Sequence, residues 1–355
     1  MTPELLRIDG MGEGIGSLAL SAPARPKAGP RALSVLRITD GAKAHFAARI
    51  PGKKIYVTAD TLAARSMLSK ISSHPDVRAV YVPHRDDVLI HRKGFSLAGS
   101  RERAAALAAL VSGEADIAVV SADALVQRFP RAELLKRFSV HIEKEGVLSP
   151  QDAADRLVAA GYARRDMISE EGEFALRGDI LDIYAWGTGA LRVNFFDELV
   201  ENVKRLDPTS MLPVGELQEV SVPPASDVLF SAEDAARVAS ALSARGGNPT
   251  ASALADRVRE GAAPPELVWA GVFSEDNSAF LFDCFGEGVR PTVIFDEPKA
   301  IYEKLAVLEK EFKGRLAPLG EAGEILPEHK AALFSTNEVL RRTLLADKIS
   351  FTALN

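Results

Sequence analysis

The chain has 355 residues, of which 47% are hydrophobic and 26% charged, and it carries a formal net charge of −6 with a pI near 5.7. These values are typical of a globular chain with roughly two to three domains. The acidic balance argues against autonomous binding to duplex DNA, which usually requires a basic face. The one cysteine, Cys284, excludes an intrachain disulfide and a cysteine-clustered zinc site. Without a signal-peptide pattern or a run of 18 apolar residues, we expect a cytoplasmic protein with no membrane span.

The first part of the chain alternates strand and helix signals. Residues 1–31 are expected to be irregular, and the stretch at 21–30 is rich in Pro, Ala and Gly. Strand signals then fall at 32–38, 53–58, 77–82 and 116–121, and helix signals fall at 41–50, at 61–71 and from Ser100, a candidate N-cap, to Gly113. Because such alternation is typical of a parallel sheet covered by helices, residues 32–138 are predicted to be the first part of an α/β domain.

The pattern changes over residues 139–225. A helix signal follows Ser149, a candidate N-cap, with Pro150 at the first helical position. Two strand signals, at 173–184 and 190–196, are joined by the glycine-containing turn "AWGTG". These residues are predicted to form a small α+β domain.

Residues 226–355 return to the α/β pattern. A helix signal covers 231–245, strand signals cover 266–273 and 290–297, and a further helix starts at Pro298. The predicted fold class is therefore an α/β parallel-sheet domain interrupted by an inserted α+β domain.

A nucleotide site would be expected in the first strand-to-helix turn, "LRITDGAKAHF". Lys43 stands where a phosphate-loop lysine would stand, but Ala44 lacks the hydroxyl that Mg²⁺ requires, and Gly41 is the one glycine of the turn. We therefore expect a degenerate site that holds no nucleotide cofactor. Without a phosphate loop, Asp296 and Glu297 are predicted to complement a helix dipole. The alternative from these residues is a nucleotide hydrolase with an unusual loop around Lys43.

Other catalytic and metal motifs are absent from the sequence. The six histidines have no metal-ligand spacing, and no Gly-x-Ser-x-Gly motif occurs. We predict no metal site and no catalytic residue, so this chain is expected not to be an enzyme.

The stretch "ALRVNFFDE" (190–198) raises the possibility of a docking surface. Alternation places three residues on the face expected to be buried: Leu191, Val193 and Phe195. Arg192 and Phe196 then lie on the other face, and the same alternation in "GEFALRGDILDIY" exposes Arg177. Arginines and aromatic residues are enriched at interface hot spots. The alternative is an ordinary surface, with Phe196 covered by the helix at 150–160.

These residues carry a resemblance to a known family. The string "GEFALRGDILDIYAWGTGALRVNFFDELVENVKRLDPTS", with "LVAAGYARRDMISEEG" upstream, resembles the inserted domain shared by UvrB and the bacterial transcription-repair coupling factors (Mfd). The segment "ADIAVVSADALVQRFP" is similar to the region that precedes this domain. The resemblance covers about residues 32 to 300 and is strongest over 147–210. Because UvrB keeps an intact phosphate loop, the degenerate turn favours the amino-terminal UvrB-like module of the coupling factors.

The resemblance implies a fold, a partner and a set of binding residues. It implies a degenerate RecA/UvrB-like domain whose inserted domain, residues 139–225, docks UvrA. The family's motif residues map to Arg177, Arg192 and Phe196. Two positions depart from the usual pattern, Ala185 in place of Pro and Asn194 in place of an acid.

The function implied is that of a non-catalytic module that recruits nucleotide excision repair to stalled RNA polymerase. The parent protein is expected to be an ATP-dependent DNA translocase, and its contacts with RNA polymerase and DNA are expected in regions outside this chain. The same surface is expected to restrain the parent's motor domains. The alternative is a UvrB-like nucleotide-binding ATPase fragment of excision repair.

Overall fold

The computed structural model describes residues 30–85, 98–245, 248–260, 278–286, 288–322 and 325–353. Its strands, β1 to β14, are Ala32–Ile38, Lys54–Thr58, Ala79–Tyr81, Ile117–Ser121, Val140–Glu143, Ala163–Arg164, Glu173–Arg177, Ile180–Ala185, Gly189–Phe196, Leu199–Leu206, Pro213–Leu217, Glu219–Val222, Thr292–Asp296 and Lys348–Ala353. Its α-helices, α1 to α10, are Asp40–Arg49, Thr61–Ser72, Ala98–Val111, Ala122–Leu125, Ala132–Phe138, Pro150–Ala159, Ala232–Ser243, Pro249–Arg259, Pro298–Glu321 and Thr336–Thr343. The strand predicted at 266–273 and residues 1–29 lie outside this range. Among these helices, none is long and apolar enough to cross a membrane.

The larger domain is built on a six-stranded parallel sheet with the order β1-β14-β13-β2-β4-β3. Ile55 and Val57 of β2 enter one buried cluster, whereas Tyr56 enters the cluster on the opposite face. Helices therefore cover both faces, as the alternating pattern predicted. The pattern did not predict β14, which pairs between β1 and β13.

A second six-stranded sheet, with the order β11-β10-β9-β8-β7-β6, forms a separate α+β unit within the chain. Its neighbours are antiparallel except for β6 and β7. This arrangement confirms an α/β fold with an inserted domain. The short antiparallel pair of β5 with β12 lies just inside the predicted limits, 139–225, which stay a prediction.

The single strand predicted at 173–184 is wrong in detail. The chain turns back at Gly178 and Asp179, so that Arg177 of β7 pairs with Ile180 of β8. Gly178 has a φ of +59°, a conformation that glycine adopts at little cost in a two-residue hairpin loop. The segment 173–184 therefore contains a hairpin that the sequence pattern did not predict.

Helix α6 covers the inner face of this second sheet. Ser149 caps the helix by accepting a hydrogen bond from the Asp152 amide, as predicted. Leu157 of α6 packs with Phe174 and Leu191 in the same buried cluster. We call the opposite face of the sheet, on which α6 does not pack, the outer face.

A buried ion cluster lies where the chain returns from the α+β unit to the larger domain. The Asp227 carboxylate forms two ion pairs, one with Arg85 (Nη1 to Oδ1, 2.6 Å) and one with Arg103 (Nε to Oδ2, 2.7 Å). All three side chains are almost fully buried. Ser100 also donates to Asp227, at 3.0 Å. Helix α3 begins at Ala98, so Ser100 lies within the helix and is not its N-cap. Burial raises the pKa of Asp227, but the two arginines outweigh burial and leave the pKa below its ordinary value.

We predict that Asp227→Ala lowers the free energy of unfolding by about 3–5 kcal/mol, because it leaves two buried guanidinium groups without their counter-charge. Urea denaturation measures the change. Asp256→Ala is the control, because the Asp256–Arg259 pair is largely exposed, and it should cost less than about 0.5 kcal/mol. Equal effects of the two substitutions would contradict the role assigned to the cluster.

Candidate functional site

The outer face of the second sheet brings the predicted docking residues together through strand register. Asp182 of β8 pairs with Ala175 of β7 on one side and with Arg192 of β9 on the other. Because directly paired residues point to the same face, Asp182 and Arg192 are side by side on the outer face. Arg177 lies two residues beyond Ala175 and points the same way.

Asp182 binds both arginines. Its Oδ2 accepts hydrogen bonds from Arg177 Nη2 at 2.6 Å and from Arg192 Nη2 at 2.9 Å, and its Oδ1 accepts from Arg192 Nε at 2.7 Å. The Asp182 side chain is 2% exposed, whereas those of Arg177 and Arg192 are 48% and 27% exposed. The carboxylate is therefore beneath the two guanidinium groups and fixes their positions.

The cluster of these three side chains keeps a net positive charge, because two guanidinium groups share one carboxylate. The hydrogen bonds to Asp182 raise the pKa of Arg192 above its ordinary value, so its charge persists at any physiological pH. A partially exposed pair of arginines of this kind suits recognition of a carboxylate or phosphate.

Phe196 and Phe195 point to opposite faces, as the alternation predicted. Phe195 is 5% exposed and packs in the cluster beneath α6, whereas Phe196 is 75% exposed. Helix α6 packs on the inner face and does not cover Phe196. The alternative of a covered Phe196 is therefore wrong.

The remainder of the outer face is closed at the other end of the strands. Ala190 is fully buried there, and Ala175 is fully buried beside Asp182, in a small cluster with Ile168 and Leu206. The open part of the face is thus the end that carries Arg177, Arg192 and Phe196.

The phosphate-loop position is occupied by ion pairs within the chain. Lys43 is 2% exposed, and its Nζ lies 2.6 Å from Asp296 Oδ1 and 2.9 Å from Glu297 Oε1. Burial lowers the pKa of Lys43, but the hydrogen bonds to the two acids outweigh burial and leave the pKa raised. The Lys43 ammonium is therefore committed to protein carboxylates.

The interpretation of Asp296 and Glu297 as carboxylates that complement a helix dipole is corrected by these contacts. Asp296 ends β13 and also accepts a hydrogen bond from the Tyr56 hydroxyl at 2.9 Å. Glu297 precedes α9 but makes no side-chain cap; its Oε1 instead accepts from the Ala353 amide at 2.6 Å. Both acids hold Lys43 at the carboxyl end of β13. Within the described residues, no group of His, Cys, Asp and Glu side chains could hold a metal ion.

Sequence reasoning missed Asp182, although a signal for it exists. Reading "GD" (178–179) as a two-residue hairpin turn places Asp182 opposite Ala175 and on the same face as Arg177. An acid at that place in a strand otherwise rich in apolar residues indicates a buried partner for nearby arginines.

We predict that Phe195→Ala lowers the free energy of unfolding by about 3–5 kcal/mol, because it leaves a cavity in the core. Phe196→Ala, at an exposed position, should shift it by about 0.5 kcal/mol or less. Thermal melts of the two variants test the pair. If Phe196→Ala melts like Phe195→Ala, the face assignment is wrong.

Comparison with known proteins connects this arrangement to DNA repair proteins. The sequence profile described as "UvrB interaction domain" matches residues 140–228, which include β7 to β12. A transcription-repair-coupling factor of Bacillus subtilis (strain 168) is 28% identical over 233 residues, covering 61% of this chain and 20% of that protein. One of Helicobacter pylori (strain J99 / ATCC 700824) is 33% identical over 168 residues, covering 45% of this chain and 16% of that protein.

UvrABC system protein B of Pseudothermotoga lettingae is 26% identical over 163 residues, covering 46% of this chain and 25% of that protein. The chain thus spans a quarter or less of the length of each of these relatives. Residues 140–228, which carry the arginine cluster, match the UvrB interaction domain. The chain is similar over part of its length both to transcription-repair-coupling factors and to UvrABC system protein B.

Proposed function

We propose that this chain is a non-catalytic docking module that binds UvrA through Arg177, Arg192 and Phe196. In the whole protein this contact would recruit nucleotide excision repair to stalled RNA polymerase. ATP-driven translocation, RNA polymerase binding and DNA binding would belong to regions outside this chain. The same surface would restrain those motor regions while UvrA is absent.

The observation that carries the proposal is the ordered cluster at the open end of the outer face. Two arginines are held by one buried carboxylate, and an aromatic side chain stands 75% exposed on the same face. Arginines that are already fixed lose little conformational freedom on binding, and an exposed aromatic side chain offers a large apolar surface. Such residues are typical anchors of a protein interface.

The contacts of Lys43 favour a docking module over the alternative UvrB-like ATPase. A nucleotide phosphate at this turn would have to displace two carboxylates from a buried ammonium group. The turn would offer that phosphate one glycine and no hydroxyl at position 44. The interaction domain, by comparison, needs no nucleotide to present its arginines.

We predict that the chain binds UvrA and that Arg177→Ala, Arg192→Ala and Phe196→Ala each weaken binding by about 2 kcal/mol, or roughly thirtyfold. Calorimetric titration of UvrA with each variant measures the change. Arg156→Ala is the control, because Arg156 is exposed on α6, at the inner face of the sheet, and should bind as the parent does. Parent-like binding by all three test variants would place the docking surface elsewhere.

We also predict that titration with Mg-ATP gives no saturable binding in the micromolar range, because Lys43 is held by Asp296 and Glu297 and the turn lacks the groups that hold phosphate and Mg²⁺. The parent chain suffices for this experiment, and Mg-ADP serves as a second ligand. A micromolar dissociation constant for either nucleotide would favour the ATPase alternative.

A further inference from the structure

Phe196 is the first of three exposed apolar side chains that are paired with one another across neighbouring strands. Leu199 of β10 pairs directly with Phe196, and Val147 forms an isolated antiparallel bridge with Leu199. The three side chains are 75%, 40% and 82% exposed in the order Phe196, Leu199, Val147. Because each pair is in direct register, the three lie side by side on one face. We call Val147, Leu199 and Phe196 the apolar row.

Backbone hydrogen bonds hold Val147 in place on both sides. The Val200 amide donates to the Gly146 carbonyl at 2.9 Å, and the Leu148 amide donates to the Glu198 carbonyl at 2.8 Å. Leu148 turns inward and is 8% exposed, so Val147 must point outward. A side chain at Gly146 would meet the Glu143 carbonyl at 2.9 Å, so the tight turn that begins this segment depends on glycine. The exposure of Val147 thus belongs to an ordered, strand-like segment.

The apolar row is continuous with the arginine cluster. Ile180, which is 39% exposed, pairs with Arg177 and with Asn194, so the row of residues next to the apolar row begins at Arg177 itself. In that same row Asn194 Nδ2 donates to Asn202 Oδ1 at 2.8 Å, so these two amides bind each other. The outer face therefore changes from positive at the arginines to apolar at Phe196, Leu199 and Val147. Single exposed apolar residues are ordinary, but a contiguous set marks an interaction site.

We propose that Val147 and Leu199 contact UvrA together with Phe196, and that UvrA presents apolar side chains to the apolar row and a carboxylate to the arginine cluster. This inference rests on the proposed function and extends its binding surface beyond the family's motif residues. The net positive charge of the arginine cluster favours an acidic partner group.

The experiment is a titration of UvrA with the double variant Val147→Thr/Leu199→Thr. Threonine keeps strand propensity and nearly the volume of valine at position 147, but it adds a hydroxyl that an apolar contact would have to desolvate. We expect binding about tenfold weaker than that of the parent, with an unchanged melting temperature. The weakening should persist at high salt, whereas the loss caused by Arg177→Ala should shrink as salt screens the parent's ionic contact.

Two further variants make the result decisive. Val158→Thr changes a 52% exposed valine on α6, which covers the inner face, and it should bind as the parent does. Val147→Lys places a charge at an 82% exposed position that the fold tolerates, and it should weaken binding at least as much as the double variant does.

The outcomes separate this inference from the proposed function. If Val147→Lys and the double variant bind like the parent while Phe196→Ala binds weakly, the apolar row is not a contact and the proposed function stands. If the parent chain itself does not bind UvrA, both fail. If the parent self-associates and Val147→Lys abolishes that association without affecting UvrA, the row is an interface between copies and the inference is overturned.

Discussion

A buried carboxylate on the outer face of the second sheet governs the surface that we assign to docking. The Asp182 side chain is 2% exposed, and its burial depends on the two arginines, since removing one partner of a buried pair leaves an uncompensated charge. The arginines, in turn, owe their fixed direction to Asp182. Stability and recognition therefore depend on the same contact, and a partner that binds the arginines meets groups already held in place.

Buried ion pairs also occupy two places in the larger domain. Lys43, at the phosphate-loop position, is bound to Asp296 and Glu297 at the carboxyl end of β13. Asp227, where the chain returns from the inserted domain, is bound to Arg85 and Arg103. The phosphate-loop position is therefore filled by contacts within the chain, and the surface that we assign to docking lies on the other sheet.

The sequence predicted what depends on local periodicity. The two-residue period of a strand separated Phe195 from Phe196, and Ser149 with Pro150 marked the start of α6. The sequence did not predict features that depend on a tight turn or on contacts between residues far apart in the chain. The turn at Gly178 interrupts a pattern that reads as one strand, and without that turn the register of Asp182 is not defined. Lys43 and Asp296 are 253 positions apart, so no local pattern relates them. Val147 lies outside the predicted strands, and its exposure follows from a bridge to Leu199.

The most direct measurement is amide hydrogen exchange of the chain with and without UvrA. If UvrA docks at the open end of the outer face, the amides of the two adjacent hairpin turns, at 178–180 and 196–199, and of the segment at 145–148 should gain protection together. The amides of α1, around Lys43, should exchange at the same rate in both states. Protection confined to the larger domain, with unchanged exchange at these turns, would contradict the assignment.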